Sequence, residues 1–230
     1  MSQGQPSSAN FELIGNIHLT PKTSTQSISR LFTRKHEILI ISGGMVNGDH
    51  RSVLLTFVDQ AVKVYKKVVY VPSLYEYQSK VYTIDQINNY FKRLGTMYLN
   101  FIPLIDSTLV LPSLRVLIIG STLWQRVESS KLLHTFEKIK IASNKPITGL
   151  DINMLHYKSL KSIIDAIDSV NGKGYQCFVF TTLPFESLIH DNGRYVSSEY
   201  DQIVRSHHIQ YWYFGRCPKT QQPISYIHQV

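Results

Sequence analysis

Two short apolar runs, EILIIS (Glu37 to Ser42) and KVVYVP (Lys67 to Pro72), flank a segment from Ser52 to Lys66 that carries helical periodicity. A strand, a helix and a second strand in close succession can pair only as a βαβ unit, because a parallel partner needs a crossover of at least a dozen residues. FELIGNIHL (Phe11 to Leu19) reads as an earlier buried strand, followed by a helix from about Ser24 to Lys35. The first half therefore implies a largely parallel sheet. Further along, STLVLP (Ser107 to Pro112) and LRVLIIGSTLW (Leu114 to Trp124) are strands joined through a tight Pro-Ser turn, which suggests an antiparallel pair and a mixed sheet. The pattern predicts a helix from about Asp151 to Val170, capped by Asp151 and stopped by NGKG (Asn171 to Gly174). YQCFVFTT (Tyr175 to Thr182), IQYWYFG (Ile209 to Gly215) and ISYIHQV complete the strands. The fold class is α/β.

No repeat, low-complexity tract or composition shift marks a linker, so residues 11–230 read as one domain behind a polar, flexible leader over 1–10. Hydrophobic residues make up 43% and charged residues 17%, enough for a core and too little charge for a disordered chain. The formal net charge of +8 biases encounters towards nucleic acid, anionic ligands or acidic proteins. Its basic residues are scattered in small groups, Arg30/Arg34/Lys35, Lys63/Lys66/Lys67 and Lys138/Lys140/Lys145, that read as solvated helix faces. Cys177 and Cys217 have neither zinc-ligand spacing nor a disulfide framework, which suits reduced thiols in a cytosolic compartment. No apolar stretch is long enough for a membrane span, and the leader is unlike a signal peptide.

The chemically informative residues lie just past the C-terminal ends of the strands, where open α/β sheets build their sites. They are GNIH (15–18), SGG (42–44), YVPSLYEY (70–77), GSTLW (120–124), FTTLP (180–184) and WYFGRCP (212–218). Taken in order, these strings resemble the blocks D-x-H, G-D, G-N-H-[DE], a later His and G-H-x-H of the calcineurin-like metallophosphoesterases, in the subgroup that also carries G-x-T-L-W. The resemblance implies a four-layer sandwich of two mixed β-sheets flanked by helices. In that family, carboxylates, imidazoles and an asparagine oxygen hold two dications that activate water for attack on phosphorus. SGGMVNG lacks the G-x-G-x-x-G spacing of a dinucleotide fold, and GKG followed by Tyr175 is not a P-loop.

Carried over residue by residue, the resemblance puts Asn16 at the leading aspartate and His18 at its histidine. Gly43 matches the motif glycine, but Gly44 replaces the metal-bridging aspartate. Ser73, Leu74 and Tyr75 stand for Gly-Asn-His, with Glu76 kept. Thr182 stands at a ligand histidine, and Arg216 and Pro218 replace the last two. Only His18 keeps its ligand chemistry, and a guanidinium at 216 would repel dications. The expectation is a degenerate member with no metal pair, no cofactor and no catalytic residue.

His18 then reads as a structural histidine and Glu76 as a loop-stabilising acceptor. A shifted metal site built from Asp49 and His50, or from His207 and His208, is a minor alternative, since neither pair has ligand spacing. Two roles from different classes follow. The chain is an interaction scaffold whose old cleft offers Leu74, Tyr75, Leu183, Phe185 and Trp124 to a protein partner, or simply buries them. Alternatively, Arg216, with Tyr75, Glu76 and Trp124 nearby, binds a phosphate-bearing ligand or nucleic acid without hydrolysing it. Residual metal-dependent phosphoesterase activity is the third possibility.

Overall fold

The computed structural model describes residues 11–124, 127, 136–141, 145–182, 209–214 and 224–227, with the backbone alone for 210, 214 and 224–227. Two sheets form. The first has the order β1 (Phe11–Ile14), β2 (Ile38–Ser42), β3 (Lys67–Val71), β4 (Phe101–Pro103), and all its pairings are parallel. The second runs β5 (Ser107–Leu111), β6 (Val116–Ser121), β7 (Gln176–Thr181), β8 (Ile209–Phe214), β9 (Ile224–Ile227). Its two edges are antiparallel, β5 on β6 and β9 on β8, while β6, β7 and β8 are parallel. Among the described strands, antiparallel pairing is thus confined to the second sheet, beginning at the Pro112–Leu114 turn the sequence marks.

The strands are apolar on both faces because each face meets a different layer. In β3, Val69 and Val71 point to an inter-sheet core with Ile118, Phe178 and Phe180, whereas Val68 and Tyr70 pack with Phe57, Phe91 and Leu94 under α2 (Arg51–Val64) and α4 (Ile84–Met97). In β6 and β7, Leu117, Ile119 and Val179 face α5 (Gly149–Asp168) through Ile163 and Ile167. This period-two division yields helix, sheet, sheet, helix: a four-layer sandwich. Gly120 allows the sheets to close, since a Cβ there would lie 2.4 Å from the Leu104 Cβ and 2.8 Å from Val71 Cγ2.

Local differences from the sequence reading have physical causes. β1 stops at Ile14 because Asn16 and His18 adopt left-handed backbone, φ 55° each; Leu19 makes only an isolated bridge to Val46, past the end of β2. The helix expected over Ser24 to Lys35 is α1, Thr25–Ser29, whose Ser24 side chain caps the Ser27 N–H. Helix α5 starts earlier than read: Thr148 is its N-cap, and Asp151 closes the capping box from the third position. The sequence reading missed α3 (Leu74–Tyr77), α4 and β4 altogether. A signal for α4 was present, in the Thr83/Gln86 capping box and the Ile84, Ile87, Phe91, Leu94 spacing that is buried against β3. No helix among the described residues is long and apolar enough to cross a membrane.

Candidate functional site

The C-terminal ends of β1, β2 and β3 converge with those of β6 and β7, and Glu76 organises the first three. Its side chain is 1% exposed. Oε1 accepts from the N–H of Met45 at 2.7 Å, the N–H of Val46 at 3.3 Å and the Tyr70 hydroxyl at 2.9 Å. Oε2 accepts from the N–H of Gly44 at 3.1 Å, the N–H of Ser73 at 2.8 Å and the Ser73 hydroxyl at 2.5 Å. Ser73 Oγ accepts in turn from the N–H groups of Gly44 and Tyr75, at 2.9 and 3.1 Å. A buried carboxylate is stabilised by such donors, and here they come from the turn after β2 and the start of α3. Burial, then the Glu76 charge, raise the Tyr70 hydroxyl well above its ordinary pKa, so it remains a donor to Glu76. The string YVPSLYEY thus serves to clamp two loops.

The turn 42–46 needs its glycines. Gly43 and Gly44 have φ 59° and 67°, and the loop 16–19 lies along them through Asn16 N–H to Gly43 O at 3.0 Å and His18 N–H to Gly44 O at 2.9 Å. A Cβ on Gly44 would lie 2.4 Å from Asn16 Oδ1 and 2.9 Å from Asn16 Cα. One on Gly43 would lie 2.4 Å from the Ser73 Cβ and 2.9 Å from Thr182 Cγ2. The space into which a residue-44 carboxylate would extend is therefore occupied by Asn16.

Across the sheet junction, hydroxyls meet carbonyls. Ser42 Oγ donates to Thr181 O at 2.9 Å, Thr122 Oγ1 to Pro72 O at 2.8 Å, and Thr182 Oγ1 to Thr122 O at 2.9 Å; Trp212 Nε1 donates to Thr181 Oγ1 at 3.0 Å. These bonds link the strand ends of both sheets directly. Trp124 is 3% exposed and packs on Tyr77, ring centroids 5.1 Å apart, while its carbonyl meets His156 Nδ1 at 2.5 Å. Glu76 and Trp124 are both buried.

The surface of the junction is formed by His18, exposed, and Tyr75, half-buried, whose rings meet edge to face at 4.4 Å between centroids. Burial and the neighbouring Glu76 raise the Tyr75 hydroxyl, which keeps it neutral at physiological pH. Ile17 and Leu74 stand beside them, exposed and half-buried respectively. The structure thus brings Asn16, His18, Gly44, Leu74, Tyr75 and Thr182 to one end of the fold. Arg216, Pro218, Leu183, Phe185, His207 and His208 lie outside the described residues.

A pair of dications does not fit the donors that are described. Gly44 and Leu74 carry no ligand atom, and the Thr182 hydroxyl is committed to Thr122 O. Asp49 is engaged elsewhere: it accepts from the Ser79 hydroxyl and, at 3.0 Å, from the Lys80 N–H. Its partial burial opposes ionisation, but the Lys80 N–H and Ser79 hydroxyl outweigh that and hold its pKa below the ordinary value. His50 caps α2 with its backbone only. Among the described residues, no three His, Cys, Asp or Glu side chains converge as a metal site.

The sequence matches no family model and no curated protein. Solved structures do match. The phosphopantetheinyl hydrolase of Mycobacterium tuberculosis superposes with TM-score 0.50 over 76% of this chain and 69% of that one, at 9% identity. A second solved chain aligns with TM-score 0.54 over 95% and 89%, at 13% identity. The architecture is a metallophosphoesterase-type fold. A dimetal phosphatase from Danio rerio also aligns, at TM-score 0.49 and 11% identity over 92% and 84%. At such identities the likeness concerns the backbone framework alone, so what this metallophosphoesterase-type fold does has to be argued from its own side chains.

Proposed function

We propose that this chain is a non-catalytic protein of metallophosphoesterase-type fold that acts as an interaction scaffold for a protein partner. The observation that carries the reading is the occupation of the site by the chain itself. Asn16 fills the volume beside Gly44, Glu76 is saturated by four main-chain N–H groups and two hydroxyls, and the strand ends are cross-bonded by Ser42, Thr122 and Thr182. Such a site is built for stability, and among the described residues no cluster of metal-ligating side chains is set to activate water. What it offers outward is the His18/Tyr75 ring pair with Ile17 and Leu74, an apolar and aromatic surface of the kind that anchors protein contacts. A cytosolic setting belongs to this reading; burial raises the pKa of the Cys177 thiol to about 11, which suits an unreactive cysteine.

Two measurements test it. Calorimetric titration with manganese and zinc, followed by metal analysis and a generic phosphodiester assay, is expected to give no stoichiometric metal pair and no turnover; two bound ions per chain with hydrolysis would overturn the proposal. Affinity capture from cells is expected to recover a stoichiometric protein partner that Tyr75→Glu loses while the variant keeps its circular dichroism and melting temperature. Equal recovery by both proteins would remove Tyr75 from the interface.

A further inference from the structure

Beside the clamped turns lies an open cavity of about 630 Å³ framed by three separate segments, 47–50, 78–80 and 137–140. The segments are joined by main-chain bonds, Gly48 N–H to Gln78 O at 3.1 Å, Ser79 N–H to Lys138 O at 3.0 Å and Ile84 N–H to Lys140 O at 2.8 Å, so the walls are formed before any ligand arrives. Gly48 is required for this approach, since a Cβ there would lie 2.5 Å from Glu76 O. Arg51 stiffens the neighbouring wall, its guanidinium 3.3 Å from the centre of the Tyr82 ring.

Three lysines line the cavity: Lys80, Lys138 and Lys140. The sequence reading placed Lys138 and Lys140 on a solvated helix face, but they sit on a turn and on bridges to neighbouring loops. Among the described residues none of the three is paired with a carboxylate. The ammonium of Lys140 donates to Lys80 O, a contact that orients it without neutralising it and leaves two of its three N–H donors for another acceptor. Of the two carboxylates on the lining, Asp49 is spent on the Ser79 hydroxyl and the Lys80 N–H, which leaves Glu137, exposed like Lys80 and Lys138, against three lysines. The amides of Asn47 and Gln78 and the His50 ring supply the rest of the polar surface.

We propose that this cavity binds a phosphorylated small molecule of roughly nucleotide size. The charge calls for an anion, because three lysines line one space and none has a carboxylate partner among the described residues. The volume calls for more than inorganic phosphate, as it falls within the roughly 300–1,000 Å³ of small-molecule pockets. The site is separate from the Asn16/Gly44 junction and requires neither metal nor hydrolysis.

Binding is measured by isothermal titration and amide chemical-shift perturbation in chelator, with pyrophosphate and a nucleoside diphosphate as probes. The expected result is saturable binding at one site, with shifts at residues 47–50, 78–80 and 137–140, and tighter for the nucleoside diphosphate than for pyrophosphate. Lys80→Gln/Lys138→Gln should weaken it roughly tenfold or more, whereas Lys63→Gln/Lys66→Gln, on another surface, should leave it unchanged. Absence of saturable binding, equal weakening by both double variants, or an unchanged affinity in Lys80→Gln/Lys138→Gln would each overturn the proposal. Tighter, strongly salt-dependent binding of a single-stranded RNA oligonucleotide would also overturn it, assigning the lysines to a polynucleotide.

Discussion

Replacing Glu76 with glutamine changes one oxygen to an amide nitrogen and removes a charge while keeping the side chain's shape. The structure says which placement of the new amide costs least. With nitrogen at the Oε1 position, the N–H groups of both Met45 and Val46 would face a donor. With nitrogen at Oε2, the Gly44 N–H keeps Ser73 Oγ at 2.9 Å and the Ser73 hydroxyl can rotate, so only the Ser73 N–H is stranded. One stranded buried N–H costs about 1–3 kcal/mol, and loss of charge assistance in the remaining bonds about 1–2 kcal/mol more, giving roughly 3 kcal/mol. For a chain of this size that corresponds to a melting temperature lower by about 6–12 °C. Differential scanning calorimetry with urea unfolding at neutral pH reads both quantities, and Glu76→Ala should fall further, since it removes both acceptor oxygens and strands the N–H groups of Met45, Val46 and Ser73. A Glu76→Gln protein melting within about 2 °C of the parent, with equal cooperativity, would show that the carboxylate is not the clamp described.

Gly44→Asp, alone or with Asn16→Asp, introduces carboxylates at the strand ends, but the new Cβ meets Asn16 and the backbone sits at φ 67°. Both variants should lose at least about 2 kcal/mol in urea unfolding and bind no stoichiometric metal by elemental analysis; a stabilised protein carrying metal would contradict the packing argument. Asp49 provides a pH test with a definite sign. Its folded pKa is depressed, so its contribution is present above the unfolded value near about 3.9 and disappears as pH falls through the folded value. The difference in urea stability between the parent and Asp49→Asn should accordingly be largest at neutral pH and shrink towards zero in strong acid, and a difference that grows on acidification would invert the assignment.

Much of the framework was legible without coordinates. Alternating strands and helices with punctuation at Pro72, Pro112 and Gly172 follow from backbone sterics that operate within a few residues, so β2, β3, β5, β6, β7 and α2 fall close to where the pattern puts them. The loop strings at 15–18, 42–44 and 70–77 also announce themselves, because their unusual residue types stand directly after apolar runs. Helix α4 carries a local signal of its own, the Thr83/Gln86 capping box, which a pattern of apolar runs does not register. What the chain could not declare is which atoms would meet. That Asn16 lies against Gly44, that Glu76 draws donors from residues 30 positions away, and that Lys80, Lys138 and Lys140 line one cavity are consequences of parallel strands delivering distant loops to one end of the fold. Local propensity sets where each segment bends; only closure of the two sheets sets the distances on which hydrogen bonding and charge depend.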